Sequence, residues 1–77
     1  MTLQPTQPTP IMARRGGEIW KRRKALGMSQ TTFASHMPGA TRQTIRRIEH
    51  GIYRGVMGYA YAEMVLDHLE MPLAKVA

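Results

Sequence analysis

The stretch LGMSQTTFASHMPGATRQTIRRIEHG, from Leu26 to Gly51, decides the fold of this chain. Its pattern predicts two short helices joined by a tight turn that contains a glycine. At about 100° per residue, one side of the second helix carries His50 and four donor-rich side chains, which are Arg42, Gln43, Arg46 and Arg47. Ile45 and Ile48 lie on the opposite side. A short helix with an apolar back and a front of hydrogen-bond donors suits a negatively charged groove, and this favours DNA as the partner.

Length, charge and cysteine content limit the class of protein. The chain has 77 residues, which is one small domain near the lower size limit for a stable core. It contains no cysteine, so disulfides and Cys-based zinc sites are excluded and a cytoplasmic location is expected. No apolar run approaches the roughly 20 residues that span a bilayer, and no secretory signal is expected. Eleven Lys and Arg against five Asp and Glu give a net charge of +6, which favours a polyanionic partner.

Composition divides the chain into three predicted parts. Residues 1–15 are expected to form a flexible tail rich in Pro, Thr and Gln, residues 16–71 a helical domain, and residues 72–77 a short C-terminal tail. Arg14 and Arg15 stand next to two glycines at the end of the first tail. They are interpreted either as part of a solvated hinge or as a basic arm that contacts phosphate groups.

Capping residues and glycines predict four helices. Ser29 and Thr41 are suitable N-caps for the second and third helices, and Gly27 and Gly51 are suitable ends for the first and third. Pro72 is expected to end the fourth. The helices are predicted to cover approximately residues 18–26, 30–37, 42–50 and 59–70. The predicted fold class is therefore all-α, a small bundle of four or five helices.

The spacing of apolar residues predicts which helix faces are buried. On the first helix the predicted buried face consists of Ile19, Trp20, Arg23 and Leu26, and on the second it consists of Phe33, Ala34 and Met37. On the fourth helix it consists of Ala62, Val65, Leu66 and Leu69. The fourth helix carries a second stripe, which consists of Tyr61, Met64, His68 and Met71. This second stripe is interpreted either as a dimer contact or as a second core face.

Three segments, RKALGMSQ (residues 23–30), Phe33-Ala34 and TRQTIRRIEHG (residues 41–51), resemble the Xre/Cro-type helix-turn-helix family, which includes the lambdoid phage repressors. The resemblance covers about residues 18–70 and implies a lambda repressor-like DNA-binding domain. It implies that the third helix enters the major groove and that base edges are read by Arg42, Gln43, Arg46 and Arg47, with Arg46 also a candidate phosphate contact. Contacts with DNA phosphates are implied for Ser29, Gln30, Thr41, Thr44 and Arg54.

The resemblance also implies a structural ion pair between Arg23 and Glu49. Glu49 lies in the last turn of the third helix, where the helix dipole disfavours an anion, so it needs a cationic partner. Two features depart from the family pattern. The turn from Pro38 to Thr41 is one residue longer than usual, which can re-aim the third helix, and the loop before the fourth helix lacks the customary Pro-Ser cap.

The sequence therefore predicts a transcriptional regulator, a homodimeric (auto)repressor of bacterial or phage origin that binds an inverted-repeat operator in double-stranded DNA. A dimer is expected because one recognition helix reads only about 4–6 base pairs. The alternative is the antitoxin of a toxin–antitoxin pair, with a toxin protein as its partner. A nonspecific architectural or RNA-binding protein is a third possibility, but it leaves Gln43 unexplained. No catalytic constellation or set of metal ligands can be assembled, so no enzymatic activity, cofactor or metal is expected.

Overall fold

Four helices form the part of the chain that the computed structural model describes, which is residues 9–76, with side chains for residues 9–71. Their bounds are Pro10–Ala25 (α1), Gln30–Ala34 (α2), Arg42–Glu49 (α3) and Val56–Val76 (α4). The described range contains no strand. The all-α class is confirmed. Within the same range, no helix combines the length and apolar character needed to cross a bilayer.

Glycines end α1 and α3 at the predicted positions. Gly27 and Gly51 have φ angles of 72° and 75°, the left-handed conformation that terminates a helix. After Gly51, the N–H of Ile52 donates to the carbonyl oxygen of Arg47 at 3.0 Å. This bond satisfies a carbonyl at the end of α3 and fixes the direction in which the chain leaves the helix.

Hydroxyl side chains begin α2 and α3, as predicted. The Ser29 hydroxyl accepts a hydrogen bond from the N–H of Thr32 at 3.0 Å. Thr41 and Thr44 form a reciprocal capping box, in which each hydroxyl accepts from the other residue's N–H, at 3.3 and 3.2 Å. These caps fix the first residue of each helix.

The predicted end of α2 at Met37 is wrong, because the helix stops at Ala34. Proline disfavours the helical conformation in the residue before it, and Pro38 follows Met37 directly. The chain instead turns at Pro38 and Gly39, where Gly39 has a φ of 87° and Ala40 donates to the carbonyl of Met37 at 2.9 Å. This geometry is that of a type II turn.

The predicted start of α1 at Glu18 is also wrong, since the helix begins at Pro10. The Thr9 hydroxyl caps it by accepting from the N–H of Met12 at 3.1 Å, and proline is well suited to the first helical position. The prediction of a flexible tail is therefore wrong for residues 10–15, and residues 1–8 lie outside the described range.

Gly16 is a packing residue in the middle of α1 rather than a hinge. A Cβ atom at this position would meet the carbonyl oxygens of Ile48 and Glu49, with the Glu49 oxygen at 2.8 Å. Gly51 is similarly close to α1, because a Cβ there would lie 2.8 Å from the Cα of Ala13. The absence of side chains at these two glycines lets α1 lie directly against the end of α3.

The core lies between the four helices. Its fully buried large side chains are Tyr59, Phe33, Ile19, Ile45, Ile48 and Leu66. The predicted core stripe of α4 is confirmed, with Leu69 packed at its edge. The core position predicted for Trp20 is wrong, since this residue is 47% exposed and its ring lies 5.9 Å from the Lys24 ammonium group. Trp20 is about 100° around the helix from Ile19, which fills the core position.

The fourth helix is longer than predicted at both ends. It begins at Val56, so the connecting loop ends at Gly55, and it continues through Pro72 to Val76. The expectation that Pro72 ends α4 is therefore wrong. A proline close to the end of a long helix removes one backbone hydrogen bond, and the helix continues beyond it. At the other end, the hydroxyl of Tyr59 accepts the N–H of Tyr53 at 3.1 Å and ties the loop to α4.

Candidate nucleic-acid interface

The outward side of α3 carries the four predicted base-reading residues. Burial of Ile45 and Ile48 fixes the rotation of the helix, and both side chains are completely inaccessible to solvent. The opposite side presents Arg42, Gln43, Arg46 and Arg47, all of them exposed. Among the residues that the structure describes, none of these four side chains makes a hydrogen bond or an ion pair. Their donors are therefore available to a ligand.

Two adjoining clefts extend this surface from α3 onto the following loop, each with a volume of about 460 Å³. The first is lined by Gln43, Arg46, Arg47, His50 and Ile52. The second is lined by Arg47, Ile52, Tyr53, Arg54 and Gly55. Arg47 and Ile52 line both clefts, so the two clefts adjoin at these residues.

All five acidic side chains of the protein form ion pairs with cations of α1. The pairs are Glu18 with Lys21, Glu49 with Arg23, Glu63 with Arg15, and Asp67 and Glu70 with Arg22. Within the described residues, no carboxylate forms an ion pair with the four arginines of α3 and its following loop, which are Arg42, Arg46, Arg47 and Arg54. The six cations of α1 face five acidic partners, and Arg14 and Lys24 are the two of them without an ion pair in the described chain. The four arginines of α3 and its loop are offset by none of these acids.

The pairs between α1 and α4 form a regular row. Arg15 donates to Glu63 at 2.9 and 2.6 Å, and seven residues later Arg22 donates to Glu70 at the same two distances. The equal spacing shows that α1 and α4 run in the same direction. Hydrogen bonds from the two arginines hold the pKa of Glu63 and of Glu70 below its ordinary value. Because Arg15 is bound to α4, neither the hinge nor the basic-arm interpretation applies to it.

The structure contains the ion pair predicted between Arg23 and Glu49. Arg23 Nε lies 2.5 Å from one Glu49 oxygen and Nη2 lies 3.1 Å from the other, with side chains only 7% and 4% exposed. Arg23 also donates to the carbonyl oxygen of Met28 at 2.6 Å. Glu49 accepts a further hydrogen bond from the Gln30 amide at 3.1 Å. This network joins α1, the start of α2 and the end of α3.

The predicted phosphate contacts fall into two groups. The hydroxyls of Ser29, Thr41 and Thr44 are used in helix caps, and the Gln30 amide donates to Glu49. Arg54 is exposed in the loop after α3 and lines the second cleft. Of these five residues, Arg54 is the one that offers a charged group to a ligand.

The second stripe of α4 is mostly exposed. Met64 and Met71 are 59% and 51% accessible and His68 is exposed, so the interpretation as a second core face is wrong for these three. Tyr61 is half-buried and packs against the core. A groove of about 300 Å³ accompanies the stripe, and its lining residues are His36, Met64, Val65, His68 and Leu69. No Lys, Arg, Asp or Glu of the described chain is among them.

Sequence reasoning did not identify Ile52 and Tyr53 as part of the cleft surface. A signal for Ile52 was present, because the residue after a helix-ending glycine commonly packs back onto the last turn of the helix. Gly51 was identified as such a glycine. Tyr53 had no comparable local signal.

Comparisons with models of protein families, with curated proteins and with solved structures found no match to this chain. Within the described residues, no group of three or more His, Cys, Asp or Glu side chains is placed to hold a metal ion.

Proposed function

We propose that this protein is a sequence-specific double-stranded DNA-binding regulator of transcription, in which α2 and α3 form a helix-turn-helix and α3 enters the major groove. One observation carries the proposal. Every acidic side chain is paired with a cation of α1, whereas four arginines and Gln43 on α3 and its loop have no internal partner among the described residues. A helix of this width fits the major groove, whose base edges present the acceptors that Arg and Gln side chains bind.

The proposed roles follow the position of each side chain. Gln43 and Arg47 line the first cleft and read base edges, as does Arg42 at the start of α3. Arg46 contacts either a base or a phosphate. Arg54, in the second cleft, contacts a backbone phosphate without regard to sequence.

We further infer that the protein acts as a homodimer through Tyr61, Met64, His68 and Met71. This face contains no Lys or Arg on a chain of net charge +6, so two copies meet there without bringing those cations together. It also combines protruding methionines with an apolar groove, and a two-fold interface requires such a self-complementary surface. The dimer represses transcription by covering promoter DNA.

Sedimentation equilibrium tests the dimer. Met64→Glu is expected to give a folded monomer. The matched control is Val56→Glu, which introduces the same charge at a 66% exposed apolar position of the same helix and is expected to leave the dimer intact. A parent protein that is monomeric at all concentrations, or a dimer that survives Met64→Glu, refutes this interface.

Selection of bound sequences from a random DNA pool tests the function. We expect the selected sequence to be palindromic and to bind at least about 10³-fold more tightly than a scrambled control at ~0.15 M salt. Arg47→Ala is expected to reduce discrimination at one base position by about 1–3 kcal/mol. Arg14→Ala removes an exposed arginine of α1 and is expected to leave specificity unchanged. Weak, salt-sensitive binding without enrichment refutes the proposal and turns attention to a protein partner such as a toxin.

A further inference from the structure

Ile52 is an apolar side chain placed within the cationic clefts. It is half-buried and lines both of them, beside Arg47 in each. The half-buried apolar side chains that pack against the core are Met12, Leu26, Met28, Ala40, Tyr53, Tyr61 and Leu69, and Ile52 is not one of them. Core packing therefore does not account for an isoleucine at this position.

The end of α3 explains why Ile52 lies in the clefts. An apolar residue that follows a helix-ending glycine usually contacts an apolar side chain three or four positions before the end of the helix. For α3 these two positions are occupied by Arg47 and Arg46, and Ile52 shares the lining of the first cleft with them.

The backbone holds Ile52 in place before any ligand binds. Its N–H donates to the Arg47 carbonyl at 3.0 Å, and Gly51 is fixed by its positive φ and its close approach to Ala13. A β-branched side chain on a fixed backbone has few rotamers to lose on binding. The position is therefore preorganised for a contact.

We propose that Ile52 makes an apolar contact with DNA, at the boundary between the bases read from the first cleft and the phosphate bound in the second. The inference rests on the proposed function. Two apolar groups of DNA are accessible at the edge of the major groove, the C5-methyl group of thymine and the face of the deoxyribose. Both are aliphatic surfaces that an isoleucine side chain complements, and they are distinguished by experiment.

The test compares Ile52→Ala with the parent on the selected DNA site by fluorescence anisotropy at ~0.15 M salt. Loss of the exposed part of an isoleucine side chain is expected to weaken binding about 3- to 10-fold. Ile52→Thr keeps the branch at Cβ but replaces the ethyl group with a hydroxyl, and it is expected to weaken binding as well. Val56→Ala is the matched control, because it truncates an exposed β-branched residue outside the clefts and is expected to bind like the parent.

Replacing each thymine of the site in turn by deoxyuridine identifies the apolar group. If a thymine methyl is contacted, one replacement weakens parent binding and abolishes the difference between parent and Ile52→Ala. If a deoxyribose is contacted, the Ile52→Ala loss persists on every deoxyuridine site and on scrambled DNA. Either pattern supports the proposal.

The inference fails if Ile52→Ala and Ile52→Thr, both folded by circular dichroism, bind every DNA like the parent. It also fails if the loss disappears in an Arg47→Ala background, because Ile52 then acts only by positioning Arg47. These results leave the parent's preference for its selected site intact, whereas a parent without any preference refutes the proposed function itself.

Discussion

Replacing Glu49 by alanine removes the carboxylate that neutralises Arg23 inside the contact between α1 and α3. Arg23 is then left as a cation with a 7% exposed side chain, and the Gln30 amide loses its acceptor. Stranding one partner of a buried pair typically costs about 3–5 kcal/mol. A domain of 77 residues has a total stability on the order of 4–12 kcal/mol, so the loss is a large fraction of it. The melting temperature is expected to fall by more than about 12 °C.

Urea denaturation followed by far-UV circular dichroism measures this effect. At about 1–2 kcal/mol per molar urea for a domain of this size, the midpoint is expected to fall by at least about 1.5 M. Glu18→Ala is the matched control, since its partner Lys21 is exposed and 3.6 Å away, and a change within about 0.5 kcal/mol is expected.

A double replacement separates the stranded charge from other effects. Arg23→Met combined with Glu49→Leu removes both charges and is expected to recover much of the stability lost in Glu49→Ala. The reasoning is refuted if Glu49→Ala unfolds at the midpoint of Glu18→Ala, or if the double variant is no more stable than the single one.

Three further predictions follow from the helix contacts and the charges. Gly16→Ala is expected to destabilise the fold by about 1–3 kcal/mol, because its Cβ would meet the backbone of α3. Gly17→Ala meets nothing within 4 Å and is expected to stabilise the fold by about 0.5–1 kcal/mol. Urea midpoints that shift in the same direction for both variants would contradict this. The pKa values of Glu63 and Glu70 are lowered in the fold, so their contribution to stability is present above about pH 4.5 and is lost as pH falls through the lowered values. Replacing both residues by Gln is expected to reduce the dependence of the urea midpoint on pH between about pH 3 and 5. An unchanged pH dependence would disprove this contribution. Arg54→Ala is expected to weaken binding to all DNA sequences alike and to reduce the slope of log affinity against log salt concentration by about one unit. If salt titrations show a loss of affinity at the selected site only, Arg54 reads a base instead.

Local signals were sufficient for the N-caps and helix-ending glycines in the middle of the chain, although they placed the end of α2 three residues too late. Ser29 and Thr41 begin helices, and Gly27 and Gly51 end them, because capping depends on residues within one turn. The donor-rich face of α3 was similarly predictable from helical spacing, since the buried Ile45 and Ile48 fix its rotation.

The start of α1 depends on contacts that sequence spacing does not reveal. Gly16 and Gly17 each weaken a helix by roughly 1 kcal/mol, so local propensity does not favour a helix that passes through them. Packing of Gly16 on α3 and the pairing of Arg15 with Glu63 oppose that cost. Thr9 followed by Pro10 was a local sign of the true start, since the pair supplies an N-cap and a first-turn proline.

The placement of every carboxylate against α1 gives the molecule a permanent charge asymmetry that acts before contact. In the field of a polyanion, a body whose net positive charge is larger on the side of α3 and its loop experiences a torque as well as an attraction. The torque turns α3 and its loop toward the polyanion over distances of about one Debye length, roughly 8–10 Å at ordinary ionic strength. Pairing the acids on α1 therefore sets the angle of approach as well as the stability of the fold.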